Sequence, residues 1–244
     1  MRVNRACVDV PLAVGTRVVL PEAAAAHLLR VLRLGVGDAC VLFNGDGRDY
    51  DVRIVAAGKR GGEVEVRGAR EVGNESPLRI VLLQGIARGE KMDWILQKAT
   101  ELGVAAFAPV SSERSEVRLE GERAEKRLAH WRSVVVSACE QSGRARVPVV
   151  APPATLDAAM RGLPAGGPRF TLDPLADAAV DALQAPGGAP VVLAIGPEGG
   201  WSPRDRETLA AAGFTGLRLG PRILRTETAG IAAIAALQSR FGDL

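Results

Sequence analysis

The chain is poor in several residues from which common active sites are built. Only two histidines, His27 and His130, and three cysteines, Cys7, Cys40 and Cys139, occur in 244 residues. The cysteines are odd in number, widely spaced and without CxxC spacing, which argues against a structural metal site and for a reducing compartment. No HExxH pair, GxSxG elbow or Asp-rich metal loop is present, so no metal is expected and hydrolase chemistry is disfavoured. Apolar runs fall far short of the ~18 residues that suggest a membrane span, and residues 1–10 lack an apolar core of signal-peptide type. The expectation is a soluble, cytoplasmic protein with no membrane partner. Lysine is also scarce: apart from Lys59, Lys91, Lys98 and Lys126, every cation is arginine. Arginine grips phosphates bidentately and stacks on bases, although the abundance of Ala and Gly gives biased composition as an equal explanation. The net charge is +3, with 11 Lys/Arg against 9 Asp/Glu in residues 1–74 and 20 against 19 in the rest, so no basic tail stands out.

What is present divides into two regions with different periods. Residues 1–72 read as short strands, at 16–20, 38–55 and 62–69, with turns at Gly45-Asp46-Gly47 and Gly61-Gly62 and one short helix over 21–31. Asp-Gly between strand-like runs is a hairpin signal, and the whole is the pattern of a small β-barrel. After a linker at 72–77, residues 73–244 alternate strand and helix. "RIVLLQGI" precedes a helix with Met92, Ile95, Leu96, Ala99 and Leu102 on one face, ended by Gly103. A strand over 104–110 and a long helix over 122–142 follow. Next come "RVPVV", a short helix over 156–162, "RFTL", a short helix over 177–183 and "VVLAIG". A helix over 203–212, a strand over 216–219 and a helix over 226–241 complete the chain. This alternation implies a parallel sheet covered on both faces.

Ligands in such sheets bind beyond the carboxyl ends of the strands, which directs attention to the loops after residues 86, 110, 172, 195 and 219. "AIGPEGGWSPRDRE" carries a helix start, with Ser202 as N-cap, Pro203 at N1 and Asp205 completing a capping pattern. The glycines before it bring backbone close to the space above the sheet. Glu198 among them would repel a phosphate, so an uncharged or cationic ligand suits the loop. "LGPRILRTETAG" repeats the scheme. Thr226 or Thr228 can cap the last helix, and Glu227 in its first turn favours the helix dipole, which leaves Arg222 and Arg225 unexplained. "VSSERSE" holds Arg114, "SACEQSGRAR" holds Glu140 and Arg144, and "ARGEKMDW" holds Arg88, Glu90 and Lys91. Each of these three reads equally as a surface or capping cluster.

Together, "RGEKMDWILQKATELGV", "SERS", "ACEQSGR", "IGPEGG" and "LGPRILRTETAGIAAIAALQSRFGDL" resemble the RsmE family, the 16S ribosomal RNA uridine-N3 methyltransferases of the SPOUT superfamily. "HLLRVLRLGVGD" resembles that family's N-terminal domain. The resemblance implies an N-terminal PUA-like β-barrel that helps hold RNA and a C-terminal SPOUT-type α/β domain whose last segments form a trefoil knot. It also implies a homodimer acting on 16S rRNA of the small ribosomal subunit, with S-adenosyl-L-methionine as cofactor. General rules of chain topology do not produce the knot; they disfavour threaded chains.

By the same resemblance, Leu172, Ile195, Gly196, Glu198, Gly199, Leu219, Gly220, Ile223, Leu224 and Thr226 would line the cofactor. A sulfonium cation with no phosphate is compatible with glycine-rich loops near Glu198. Methyl transfer to N3 needs that nitrogen deprotonated, so Glu227 or Glu140 is the candidate base. Arg225 and Arg114 are the candidates for stabilising the uracil carbonyls or holding phosphate. Arg2, Arg5, Arg30, Arg33, Arg88 and Arg144 would contact RNA; Arg30 and Arg33, spaced i and i+3 on a helix, equally describe a solvated face. Two rivals remain: a nucleotide-dependent α/β enzyme, disfavoured by the absence of any phosphate-binding loop, and a non-catalytic RNA-binding protein on the same scaffold.

Overall fold

The computed structural model describes residues 4–58 and 61–244, and the chain forms two compact units. The first comprises residues up to Glu75 together with Cys139–Val147. Its strands are β1 (Arg5–Cys7), β2 (Arg17–Val19), β3 (Ala39–Phe43), β4 (Arg48–Gly58) and β5 (Gly61–Glu71), in the order β1-β3-β4-β5-β2. β1 runs parallel to β3, and the other pairings are antiparallel. Alternation explains the burial: in β5, Val64 and Val66 are fully buried while Glu63 and Glu65 point the other way. These valines share one core with Ala6, Leu42, Val52, Ile54 and Leu28. The β3–β4 turn is closed by Asp46, whose carboxylate accepts from the Arg48 N–H and from the Tyr50 hydroxyl.

Between β2 and β3 the expected helix is present but changes its winding. One α-helical turn, α1 (Glu22–Ala25), widens into a π-helix over Ala26–Val31. Arg33 lies past its end with φ 57°, the one left-handed non-glycine among the described residues. The i, i+3 argument that put Arg30 and Arg33 on one face therefore fails. Neither carries a hydrogen bond or ion pair among the described residues.

Two other arginines expected to touch RNA are occupied inside this unit. Arg5 pairs with Asp49, donates to the Cys139 carbonyl and lies 4.7 Å over the Phe43 ring. Asp49 also receives Arg70 at 2.8 Å. Arg144, only 5% exposed, grips Glu75 through Nε and Nη2. Both read as surface cations in the sequence, and both are structural. Arg2 lies outside the described residues. Burial pushes the Cys139 thiol up to about 12 and those of Cys7 and Cys40 to about 11, so all three are neutral packing groups rather than nucleophiles.

The second unit comprises Ser76–Ala138 and Pro148–Leu244. Its strands β6 (Ile80–Gly85), β7 (Ala106–Ser111), β8 (Val149–Val150), β9 (Ala154–Thr155), β10 (Arg169–Leu172), β11 (Val191–Ile195) and β12 (Phe214–Leu217) form one sheet. Its order is β12-β10-β11-β6-β7-β8, with β9 also paired to β7 and all pairings parallel. The helices are α2 (Glu90–Glu101), α3 (Gly121–Ser142), α4 (Leu156–Met160), α5 (Pro203–Ala211) and α6 (Thr226–Phe241). The central strand β11 is buried at all five positions, as a strand covered on both faces must be. Leu83, Val192 and Ala194 face Leu156 of α4 and Leu209 of α5, while Gln84 and Ile195 face Gly230 of α6.

Two expectations shift here. The strand placed at 216–219 lies at Phe214–Leu217, so Leu219 belongs to the loop. The helix expected over 177–183 is a single 3₁₀ turn, Val180–Ala182. No described helix is long and apolar enough to cross a membrane. β12 lies at the sheet edge, yet α6 returns to the sheet centre over Ile195 and Gln84 and packs on α2.

Candidate active site

Loops at the carboxyl ends of β10, β11 and β12 enclose a cavity of about 470 Å³, within the usual range for small-molecule sites. The β11 loop supplies Gly196, Pro197, Glu198, Gly200 and Trp201; the β12 loop supplies Leu219, Gly220 and the run from Arg222 to Glu227. Of the ten residues expected to line it, Leu172, Ile195, Gly196, Glu198, Leu219, Gly220, Ile223, Leu224 and Thr226 do so. Ile223 is 87% exposed, a residue of the rim rather than the wall. Gly199 is absent from the lining. A Cβ there would stand 3.0 Å from Arg114 Cβ and 3.1 Å from its carbonyl oxygen, so this glycine makes room for the β7 loop.

The β11 loop is held by three neighbours. A Cβ on Gly85 would stand 2.5 Å from Pro197 Cδ, so the end of β6 lies directly beneath the loop. Arg114 Nη1 donates to the Gly199 carbonyl at 3.2 Å. Glu198 accepts from the Arg88 backbone N–H at 3.1 Å and from Lys91 Nζ at 3.2 Å. Burial alone would raise the Glu198 pKa, but these donors outweigh it and hold the carboxyl below its usual range. The acid that reads as solitary in the sequence is thus a charged, partnered group. Arg88, expected to contact RNA, gives its backbone N–H to this acid and its guanidinium to Glu116.

Thr226 does not cap α6. Its N-cap is Arg225, which has no side-chain capping bond. The Thr226 hydroxyl instead donates to the Gly196 carbonyl at 2.6 Å and accepts from Gln84 Nε2 at 3.1 Å. By contrast α5 begins as expected, with a full capping box between Ser202 and Asp205.

Three groups in the lining lack partners. Glu227 Oε2 is buried with no hydrogen bond, and Arg222 and Arg225 are exposed with no hydrogen bond or ion pair among the described residues. The site therefore presents one idle carboxylate oxygen and two idle guanidiniums beside two ion pairs, Lys91–Glu198 and Arg206–Asp173, and among apolar and backbone groups. Glu140, the other candidate base, belongs to the first unit and accepts the Cys7 backbone N–H at 3.0 Å. That bond gives it a structural use, and it is not part of the lining. His130 bonds Asp93 at 2.8 Å and is not part of the lining either.

Several lining residues escape sequence reasoning. Asp173 and Pro174 lie in the loop after β10, which topology marks as a ligand loop but in which residue type singles out neither, and Asp173 pairs with Arg206 of α5 at 3.1 Å. Trp201, 4% exposed, donates to Thr171 Oγ1 at 3.0 Å and closes the cavity floor. Its position just before the α5 N-cap is the only signal that pointed to it.

Residues 74–238 match the family of RNA methyltransferase domains, and residues 20–67 match RNA methyltransferase PUA domains. The ribosomal RNA small subunit methyltransferase E of Buchnera aphidicola is 32% identical over 243 residues, covering 100% of this chain and 98% of its own. A Neisseria gonorrhoeae structure of that methyltransferase bound to S-adenosyl methionine is 40% identical with a TM-score of 0.92, covering 99% of both chains. A Legionella pneumophila methyltransferase structure with bound cofactor SAM is 36% identical with a TM-score of 0.95 over 100% of both chains. With its PUA-type first unit, its SPOUT-type second unit and full-length likeness to these enzymes, the chain belongs to the ribosomal RNA small subunit methyltransferase E family.

Proposed function

We propose that this protein methylates N3 of a uridine in 16S rRNA of the small ribosomal subunit, using S-adenosyl-L-methionine. The observation that carries the reading is the pairing, in one cavity, of a buried carboxylate oxygen without a partner and an exposed arginine without a partner, Glu227 and Arg225. The residues present fit the cofactor. Apolar Leu172, Ile195, Leu219 and Leu224 suit an adenine face, the backbone of Gly196 and Gly220 offers hydrogen bonds, and acidic Glu198 and Asp173 tolerate a cation. Bound there, S-adenosylmethionine supplies an electrophilic methyl group on sulfur.

The chain supplies the rest. Glu227 Oε2 takes the N3 proton, leaving negative charge on the uracil ring and its carbonyl oxygens. Arg225 faces that charge, and its guanidinium lowers the cost of forming it. Arg114, fixed by the Gly199 carbonyl, retains N–H groups for a phosphate or a base carbonyl. N3 lies on the edge that pairs in a duplex, so the target uridine must be presented unpaired. Homodimer assembly belongs to the same proposal.

Titration with S-adenosylmethionine and, separately, with NAD tests the cofactor; saturable binding of the first alone is expected. Mass-spectrometric mapping of rRNA from cells with and without the protein tests the target. Loss of one 3-methyluridine in 16S rRNA is the expected result, and loss of a methyl group elsewhere, or of none, overturns the assignment.

The first unit is proposed to hold RNA through Arg30 and Arg33. Alanine at both should remove about two phosphate contacts, making the slope of log affinity against log salt shallower by about 1.5. An unchanged slope in a filter-binding salt series assigns the pair to a plain solvated surface.

A further inference from the structure

Gln84 is polar, fully buried and placed near the end of a central strand, a position where an apolar side chain is ordinary. Its amide nitrogen donates to the Gly85 carbonyl at 2.9 Å and to Thr226 Oγ1 at 3.1 Å. The orientation is fixed by chemistry, because the Gly85 carbonyl can only accept. Thr226 Oγ1 in turn donates a hydrogen bond to the Gly196 carbonyl at 2.6 Å. A directed chain of hydrogen bonds thus runs from β6 through the first residue of α6 to the β11 loop. The amide oxygen at the other end of Gln84 is buried and has no partner among the described residues. An apolar residue of the same shape would avoid that unpaired acceptor, so stability alone does not call for glutamine here.

We infer that Gln84 is a positioning residue for the cofactor pocket. It holds the Thr226 hydroxyl on the Gly196 carbonyl and so locks two walls of the cavity to each other. Gly196 and Pro197 stand on one side of this lock, Thr226 and Glu227 on the other, and all four line the cavity. Because Glu227 follows Thr226 directly, the same contact sets where its carboxylate stands. The inference rests on the reading that the cavity takes S-adenosylmethionine, but the lock itself exists without a ligand and can be measured without one.

The test compares Gln84→Met, which keeps length and removes both donors, with Thr226→Val, which removes the hydroxyl from the other side. In ligand-free protein, hydrogen exchange across residues 197–201 should speed up about tenfold in each, the loss expected for one buried hydrogen bond. S-adenosylmethionine affinity, by titration calorimetry, should fall about tenfold in each. The double variant should be no worse than either single, since both break one chain of bonds. Thr226→Ser, which keeps the hydroxyl, should restore slow exchange. Wild-type exchange in Gln84→Met, or additive effects in the double variant, would overturn the inference. Should Gln84→Met not fold, Thr226→Val against Thr226→Ser decides the same question. Failure of the wild-type protein to bind S-adenosylmethionine would instead remove the cofactor reading, while the exchange result still decides the lock.

Discussion

Glu227→Gln should lower methyl transfer by about 10²- to 10³-fold at saturating cofactor, within the range for loss of a general base. The substitution keeps size and shape while removing the negative charge and the capacity to accept a proton. Because Oε2 has no hydrogen-bond partner among the described residues, no bond seen there is broken by the change. Cofactor affinity and melting temperature should therefore stay near wild type, so the effect falls on kcat alone. Single-turnover methylation of 16S rRNA with labelled cofactor measures it. A variant with wild-type turnover would show that the N3 proton leaves by another route and that the idle oxygen serves packing only.

Arg225→Ala should cost about 10²-fold in kcat, the scale seen when one preorganised donor to a developing oxyanion is removed. Its backbone is well anchored: the residue is the N-cap of α6, with φ −67° and ψ 155°, and its carbonyl accepts from Ala229 at 2.7 Å. The side chain is exposed and makes no ion pair among the described residues, so its loss should barely affect folding. Arg225→Lys keeps the charge without the planar fork and should recover part of the rate. Loss of RNA affinity with kcat preserved would reassign Arg225 from stabilising charge to holding phosphate.

Much of this site is legible because it is local. Strand ends, Gly-Pro turns and the Ser202–Asp205 capping box are written in adjacent residues, and ligands gather at such strand ends for topological reasons. Family resemblance then adds what periodicity lacks, namely the knot and the cofactor. What stays hidden is long-range and polar. Arg5 and Arg144 look like the surface arginines because nothing local reveals that Asp49 and Glu75, 44 and 69 residues away, receive them. Lys91 and Glu198 are 107 residues apart, so the acid reads as alone. Gly199 reads as a ligand contact because a glycine making room for Arg114 and one making room for a cofactor look the same. Thr226 fits a capping rule so well that its real partners, Gln84 and Gly196, go unsuspected. The winding change at Ala26–Val31 has no marker in residue type at all.

The first unit is discontinuous in sequence, and this bears on how the protein is made. All five of its strands precede residue 72 and can pair as soon as they leave the ribosome. Arg5, however, waits for the carbonyl of Cys139, 134 residues downstream, and Asn74 waits for that of Gly143. Until translation passes Val147 the nascent sheet carries a guanidinium short of acceptors and a bare Phe43, whose covering residues Cys139 and Ala145 have yet to appear. The N-terminal module therefore starts folding first but cannot finish until the first segment of the catalytic module, Ser76–Ala138, has been synthesised, which couples the maturation of the two.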